Sequence, residues 1–507
     1  MTLDSSPADQ SRPLLGERQS DSTANADHRH PIPPRPSVTI LVTGLVFVLT
    51  AGIALPALPI LRILEDLICR KYLGISDGAI DEQQCKGSDI QSKLSYVMAI
   101  QSMLEALPGL FLALPYGILA DRIGRRPVLG LSVFGMSLAL AWMLLILRSP
   151  QLFPDVRLIW TSTAFHAIGG GLNVLMAMIY SMIADTEASE KLAGSFFMSI
   201  VASLIAELLS IAVASRLMRT SPWIPCVMGL GLFIAGGICV TFLPETLKQA
   251  TGPESAISKS DGDISITSFL KSRLSQSTRE LAESAAVLHC YPVVALLITF
   301  LLTGFVARAL SFGAQYLSKS LGWSLADAGM LMSLQVVMNI ALYVAILPGC
   351  SRLLQSPSMP FKLEPVTRDF FLARMSFVFL FIGSILLAWP SSKTVILGLV
   401  VFTCGLGFST LCRVVITSMI EPRQTGRLYT LISVLDSGSR LAAGPVLAWL
   451  FKTGLDLGDA WVGLPYLGVA FLCFLAMGLA FSVQHSDLLT HRHNDATQIL
   501  DSPEDTA

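Results

Sequence analysis

Apolar runs of about 20 residues, the length a helix needs to cross a bilayer, recur along this chain. They fall near 38–61, 94–117, 127–148, 158–183, 194–217, 222–243, 292–317, 326–348, 370–389, 393–419, 428–451 and 460–483. Most polar breaks between them are short. The longest interior break, 248–290, divides the runs six and six. The pattern predicts an all-α integral membrane protein with twelve transmembrane helices. They form two pseudo-symmetric six-helix bundles, 38–247 and 291–484. Two such bundles around a central loop can rock about a site at mid-membrane.

The breaks have their own character. Residues 1–37 are rich in Ser, Asp, Pro and Arg and cannot bury enough apolar surface to fold. Residues 485–507 read the same way. The central break opens with polar residues, then places Phe269, Leu270, Leu274 and Leu281 near one helical face. That spacing predicts an amphipathic helix lying on the membrane surface. No cleavable leader precedes the first apolar run, which would itself target the chain to the membrane.

Composition supports the class. The chain is 52% apolar and 14% charged, against about 25% charged in soluble proteins, and its mean hydropathy is +0.63. A net charge of −1 gives no footprint for nucleic acid. No zinc spacing, phosphate loop or cofactor motif is present. Gly169-Gly170-Gly171 has no Lys-Ser/Thr after it and reads as small residues that let helices approach. No Ser-His-Asp or Cys-His arrangement stands out, so an enzyme is not expected. Seven cysteines (226, 239, 290, 350, 404, 412 and 473) lie in or beside apolar runs as packing residues. Cys69 and Cys85 share the first polar loop, and an oxidising face would permit a disulfide there.

Residues Gly117 to Pro127 read G-I-L-A-D-R-I-G-R-R-P between two spans. A short basic turn of this kind predicts a cytoplasmic loop, and an even number of spans puts both termini on the same side. Over all the short loops, this one included, ten basic residues fall on the predicted cytoplasmic side and seven on the other, a modest bias. The spacing of Gly117, Asp121, Arg122, Gly124, Arg125 and Arg126 resembles the loop motif of the major facilitator superfamily, between its helices 2 and 3. Leu243-Pro244-Glu245-Thr246, Gln315-Tyr316-Leu317-Ser318, Trp323 to Gly329, Ile68 to Tyr72 and Gly463-Leu464-Pro465-Tyr466 extend the likeness. Together they resemble a fungal facilitator group distantly similar to the proton-coupled folate and heme carrier family. The resemblance implies that helices 1, 4, 7 and 10 line a cavity and that 3, 6, 9 and 12 face lipid. It also implies that Asp121 pairs with a helix end of the opposite half, near the start of span 11, with Gly117 permitting close approach.

Charges inside the spans are the candidate chemistry. A charge at the bilayer centre costs about 2.5–3.5 kcal/mol, so it should face protein or water. Glu105, Glu207, Arg308 and Asp436 fall near mid-depth, with His166, Arg413 and Arg440 somewhat off centre. Spans 3, 6 and 12 hold no interior charge, which agrees with the lipid-facing positions the resemblance implies. Carboxyl groups in apolar sites can exchange protons near neutrality, so Glu105 and Glu207 are proton-coupling candidates. Asp436 and Arg440 join them, or simply neutralise each other four residues apart. His166 stands near the place where the family's proton-linked helix-4 motif keeps an Arg, and supplies a titratable group instead. Its spacing to Asn173 puts both on one helical face. Arg308, Arg413, Asn173 and Gln315 are the substrate-binding candidates.

The chain also departs from the family. Span 5 lacks the Gly-Pro motif of the antiporter branch, while Gly444-Pro445 stands in span 11. The expected activity is alternating-access transport of small organic molecules, coupled to protons, most directly the export of secondary metabolites. Proton-coupled uptake of an organic, anionic solute is the alternative within transport. A non-transporting membrane sensor or scaffold is the alternative of another class. The expected unit is a monomer in the plasma membrane, or else the vacuolar membrane. Its partners are a small-molecule substrate, protons and the lipid bilayer, with no metal, cofactor or nucleic acid.

Overall fold

The computed structural model describes residues 36–75, 78, 80–187, 189–246, 291–355, 365–419 and 425–483. The predicted surface helix at 248–290 and nearly all of the predicted tails lie outside the described residues. Among these the protein is helical, with no strand. The first half holds α1 (Pro36–Leu73), α2 (Ser88–Ile123), α3 (Arg125–Arg148), α4 (Val156–Thr186), α5 (Ser189–Met218) and α6 (Trp223–Phe242). The second holds α7 (Tyr291–Leu321), α8 (Leu325–Leu354), α9 (Pro365–Ala388), α10 (Ser392–Ser418), α11 (Thr425–Leu457) and α12 (Leu464–Ser482). Eleven of these are long and apolar enough to cross a membrane. The remaining one, α11, has the length but carries Asp436, Arg440, Lys452 and Asp456.

Each half buries its own apolar core. Leu49, Leu64, Leu129, Leu175 and Phe233 belong to the first, and Phe300, Tyr316, Phe377, Phe402 and Phe451 to the second. Outward-facing positions are apolar too. Phe242, Trp389, Trp449 and Phe471 are each more than half exposed, as a surface solvated by lipid tails requires.

Helices α3 and α6, implied to face lipid, also place Met136, Ala139, Leu140, Met143 and Phe233 in the wall of the central cavity, and three further elements differ from the expectation. The first helix starts at Pro36, inside the predicted tail, and proline suits a first helical position. It then runs to Leu73, past the expected end near 61. Its polar extension neutralises itself through Arg62–Glu65 and Arg70–Asp66 ion pairs one turn apart.

Helix α4 is the second. Val156–Ala167 winds as a tight three-residue-per-turn helix, and the α-helix starts only at Gly171. The hydroxyls of Thr161 and Thr163 bond carbonyls three residues back, which suits the tight winding. Gly169, Gly170 and Gly171 all have φ between +68° and +87°, a conformation that penalises any side chain. The glycines do bring helices close, since a Cβ on Gly169 would overlap the α3 backbone at Ser132. They also break the helix, which their size alone did not announce.

The third is α10, implied to line the cavity. It contributes no lining residue among those described. It buries Phe402, Phe408, Leu411, Cys412 and Val415 in the second core instead.

The two ends of α2 define two faces. One carries the Gly117–Pro127 loop, here the basic-loop face. The other carries Cys69 and Cys85, joined in a disulfide with Cα atoms 5.3 Å apart, here the disulfide face.

Candidate functional site: a charged cavity between the halves

A cavity of about 820 Å³ lies between the two halves, within the size range of small-molecule sites. Much of its wall is apolar and adaptable, with Met98, Met136, Met143, Met332, Phe233 and Phe312 among the lining residues. Against that background the charges are few and divided. The first half supplies Glu105, His166 and Glu207, and the second supplies Arg308 and Arg440.

Glu105 is the centre of this group. It sits on α2 one turn before Pro108, and its Oε1 accepts a hydrogen bond of 2.8 Å from Gln101 Nε2. Gln101, only 4% exposed, also reaches Ser162 Oγ on α4 at 3.3 Å. The amide therefore fixes the carboxylate against α4. Glu105 is near enough for its charge to act on both His166 and Arg308. The Glu207 side chain, on α5, makes no hydrogen bond or ion pair among the described residues.

Arg308 crosses between the halves. Its Nη2 donates to the Met98 carbonyl of α2 at 3.0 Å, and Nη1 lies 3.4 Å from Ser311 Oγ. Arg440 faces the cavity and holds Asp436 at 3.2 Å through Nε. Asp436 also accepts from the Thr303 hydroxyl of α7, and Ser439 Oγ accepts from Gly304 N at 3.0 Å. Asp436 thus braces α7 against α11 behind the wall and is not a lining residue.

The other candidates divide. Asn173 lines the cavity, as does His166. The shared helical face expected for them does not exist, because the glycine break separates them. Arg413 is absent from the lining and lies 5.6 Å from the Phe300 ring centroid. Gln315 borders the cavity, but its Nε2 is committed to Gln91 O at 3.0 Å and Gln91 Oε1 at 3.2 Å.

A family model described as Major Facilitator Superfamily matches residues 40–444. The chain belongs to the Major Facilitator Superfamily. Over 457 residues it is 30% identical to the MFS efflux pump atnC of Emericella nidulans, covering 88% of each chain. It is also 30% identical to the MFS-type transporter aprT of Aspergillus flavus, covering 93% of each. Among solved structures, the D-xylose-proton symporter matches with a TM-score of 0.58 at 14% identity, over 87% of this chain and 96% of that one. That likeness carries the fold alone.

The superfamily loop motif is folded onto its own half. Asp121 pairs with Arg125 at 2.9 Å and stays 63% exposed. Arg125 also approaches Asp185 of α4 at 3.5 Å. Glu245, in the motif that closes α6, accepts from the backbone N–H groups of Arg125 and Arg126 at 2.8 and 3.1 Å. It thereby caps the start of α3, where an acid also complements the helix dipole. Gly124, at φ +108°, leaves the space that this carboxylate fills. The implied partner of Asp121 near the start of α11 adjoins residues 420–424, outside the described residues. A Cβ at Gly117 would meet nothing within 4 Å, so no close approach occurs there in this conformation.

Contacts between described residues of the two halves lie toward the disulfide face. Besides Arg308–Met98 and Gln315–Gln91, Arg219 of α5 pairs with Asp327 of α8 at 2.8 Å. Gly444 packs on Ala99, and Gly329 on Leu58 and Ser215. The bulk of the cavity lies between these contacts and the basic-loop face. Sequence reading passed over Gln101, Gln91 and Asp185. A neutral amide, whether inside an apolar run like Gln101 or in the polar approach to one like Gln91, and a carboxylate at a helix end send no charge-cost signal.

Proposed function

We propose that this facilitator exports an amphipathic organic molecule in exchange for protons. The chain works as a secondary transporter by alternating access between its two halves. Export is supported by the likeness to the efflux pump atnC of Emericella nidulans. On the predicted orientation the basic-loop face is cytoplasmic, both termini are cytoplasmic, and the conformation described faces inward. The plasma membrane is the site of action that export requires.

One observation carries the chemistry: the cavity wall is acidic on the first half and basic on the second. Arg308 and Arg440 offer donors to a carboxylate or carbonyl of the substrate. An ionised Glu105 or Glu207 attracts a cationic or N–H group, and a proton on the same carboxyl removes that attraction. Proton and substrate then compete for one group, which is the condition for exchange. The adaptable apolar wall accepts the remainder of the molecule.

The test has two arms. Metabolite profiling of a deletion strain should find a compound retained in cells and depleted from the medium. The purified protein in liposomes should move that compound against an opposing proton gradient. A deletion strain with unchanged metabolite distribution, together with liposomes inert under any pH gradient, would reject the reading.

A further inference from the structure

The polar segment between α1 and α2 had no role in the functional reading beyond a disulfide. Its placement gives it one. Cys69 ends a turn of α1, and Cys85 belongs to a short tight turn, Glu82–Lys86. Both cysteines are fully buried, so the bridge pins that turn onto the first half. Buried charges complete the attachment. Glu65, 1% exposed, accepts from Lys86 Nζ at 2.7 Å, Gln91 Nε2 at 2.6 Å and Arg62 Nη1 at 2.9 Å. Lys86 Nζ also donates to Glu82 Oε1 at 2.9 Å, and Arg62 Nε lies 3.6 Å from Glu82 Oε2.

The pinned turn then grips the other half. Glu82 Oε1 accepts from the backbone N–H of Leu325, at the first turn of α8, at 2.8 Å. Gln83 Nε2 donates to the carbonyl of Gly322, which ends α7, at 2.6 Å. An acid thus meets a helix N-terminus and a donor meets a helix C-terminus, which is the polarity both ends favour. Leu325 follows, packing into the core of the first half although it belongs to the second.

We propose that Glu82 and Gln83 form the latch that closes the disulfide face, and that the Cys69–Cys85 bridge positions them. Alternating access requires this face to part, so the α7–α8 turn must leave Glu82 and Gln83 once per cycle. With the bridge intact the turn is ready to re-engage. With the bridge open, the turn is held only by its ion pairs and by the hydrogen bond of 3.0 Å from Gln91 Nε2 to the Cys85 carbonyl, and the closed state loses population. Glu82 and Gln83 touch no substrate; they are positioning residues. The inference rests on the transport reading, and its test measures conformation and not flux, so the two can fail separately.

The experiment places genetically encoded spin labels at Gln151 and Asp456, both exposed on the disulfide face, in full-length protein in lipid nanodiscs. Double electron–electron resonance then reports the separation of the halves there. Untreated protein should populate mainly the short distance. Reduction with a phosphine, confirmed by mass spectrometry, should raise the long-distance population several-fold, and reoxidation should reverse it. Glu82→Ala should shift the ratio about tenfold in the same direction, as expected for one charge-assisted hydrogen bond, with the bridge still formed. Cys85→Ser should match reduced protein and ignore reoxidation; if it does not fold, reduction of the native chain gives the same information. A distance distribution unmoved by confirmed reduction and by Glu82→Ala would overturn the latch.

Discussion

Arg308 of the second half donates from Nη2 to the carbonyl of Met98 in the first, at 3.0 Å. A cavity cation therefore also ties the two halves together. It can do so because Met98 lies on the disulfide-face side of Glu105, where α2 and α11 touch at Ala99 and Gly444. On the proposed mechanism, removing the guanidinium should affect substrate binding and closure together. Arg308→Ala should lower transport in proteoliposomes by about 10- to 100-fold, the range for a lost charge-assisted hydrogen bond. Arg308→Lys keeps the charge but not the planar fork and should recover only part of the rate. Normal turnover in both would remove Arg308 from the site.

Glu105 tests the coupling. Gln101 Nε2 donates to it at 2.8 Å, and the glutamine of Glu105→Gln can still accept that bond. The fold should survive and the titratable group is gone. Substrate binding, measured by isothermal calorimetry across pH, should then lose the pH dependence that proton exchange would give the wild-type protein. On that proposal, wild-type binding should weaken toward acid pH, because the proton would compete with the substrate. A mutant that retains the same acid-side loss would pass the coupling role to Glu207.

Much of this was legible from residue type alone, and the reason is physical. Lipid cannot satisfy a charge, so Glu105, Glu207 and Arg308 stood out against apolar neighbours and all three line the cavity. The same cost argument selected Arg413 and Asp436, which escape it by other routes. Arg413 lies against the Phe300 ring, and Asp436 is satisfied by Arg440 and Thr303. The helix count followed from run length, whereas the extension of α1 did not, because ion pairs replaced apolar residues as its support. The break in α4 was hidden for a different reason. Three glycines permit close packing and permit positive φ, and only the backbone shows that both are used.

That break is a point of structural sensitivity. Gly170 has φ +77°, and a Cβ there would overlap Val174 and crowd Tyr116. The Tyr116 hydroxyl is occupied on both sides of the break, donating to Ala167 O and accepting from Gly169 N, each at 2.8 Å. Gly170→Ala should cost about 1–2 kcal/mol from the left-handed backbone alone, and more from the overlap. Thermal unfolding of purified protein should show a lower midpoint. Tyr116→Phe, which leaves the Gly169 N–H without its partner, should lower it by a smaller step. An unchanged midpoint in Gly170→Ala would mean that the break is not needed to hold α4.

The loop motif separates stability from cycling. Asp121 is mostly exposed and pairs with Arg125 inside its own loop, and an exposed pair contributes about 0–1 kcal/mol. Glu245 is different, because two backbone N–H groups at the start of α3 depend on it. Asp121→Asn should therefore leave the unfolding midpoint of this conformation nearly unchanged. Glu245→Ala should lower it, by about 1 kcal/mol for a lost cap. Transport should fall in both, but for different reasons. In Glu245→Ala the loop loses its seat on α6. In Asp121→Asn the loss would lie in the opposite conformation, where the basic-loop face closes and Asp121 can reach the second half. Spin labels at Ala184 and Ser418, near that face on α4 and α10, would show it directly. Asp121→Asn should deplete the short-distance population there without lowering the midpoint, and a mutant with wild-type distances and wild-type flux would leave Asp121 with no part in closure.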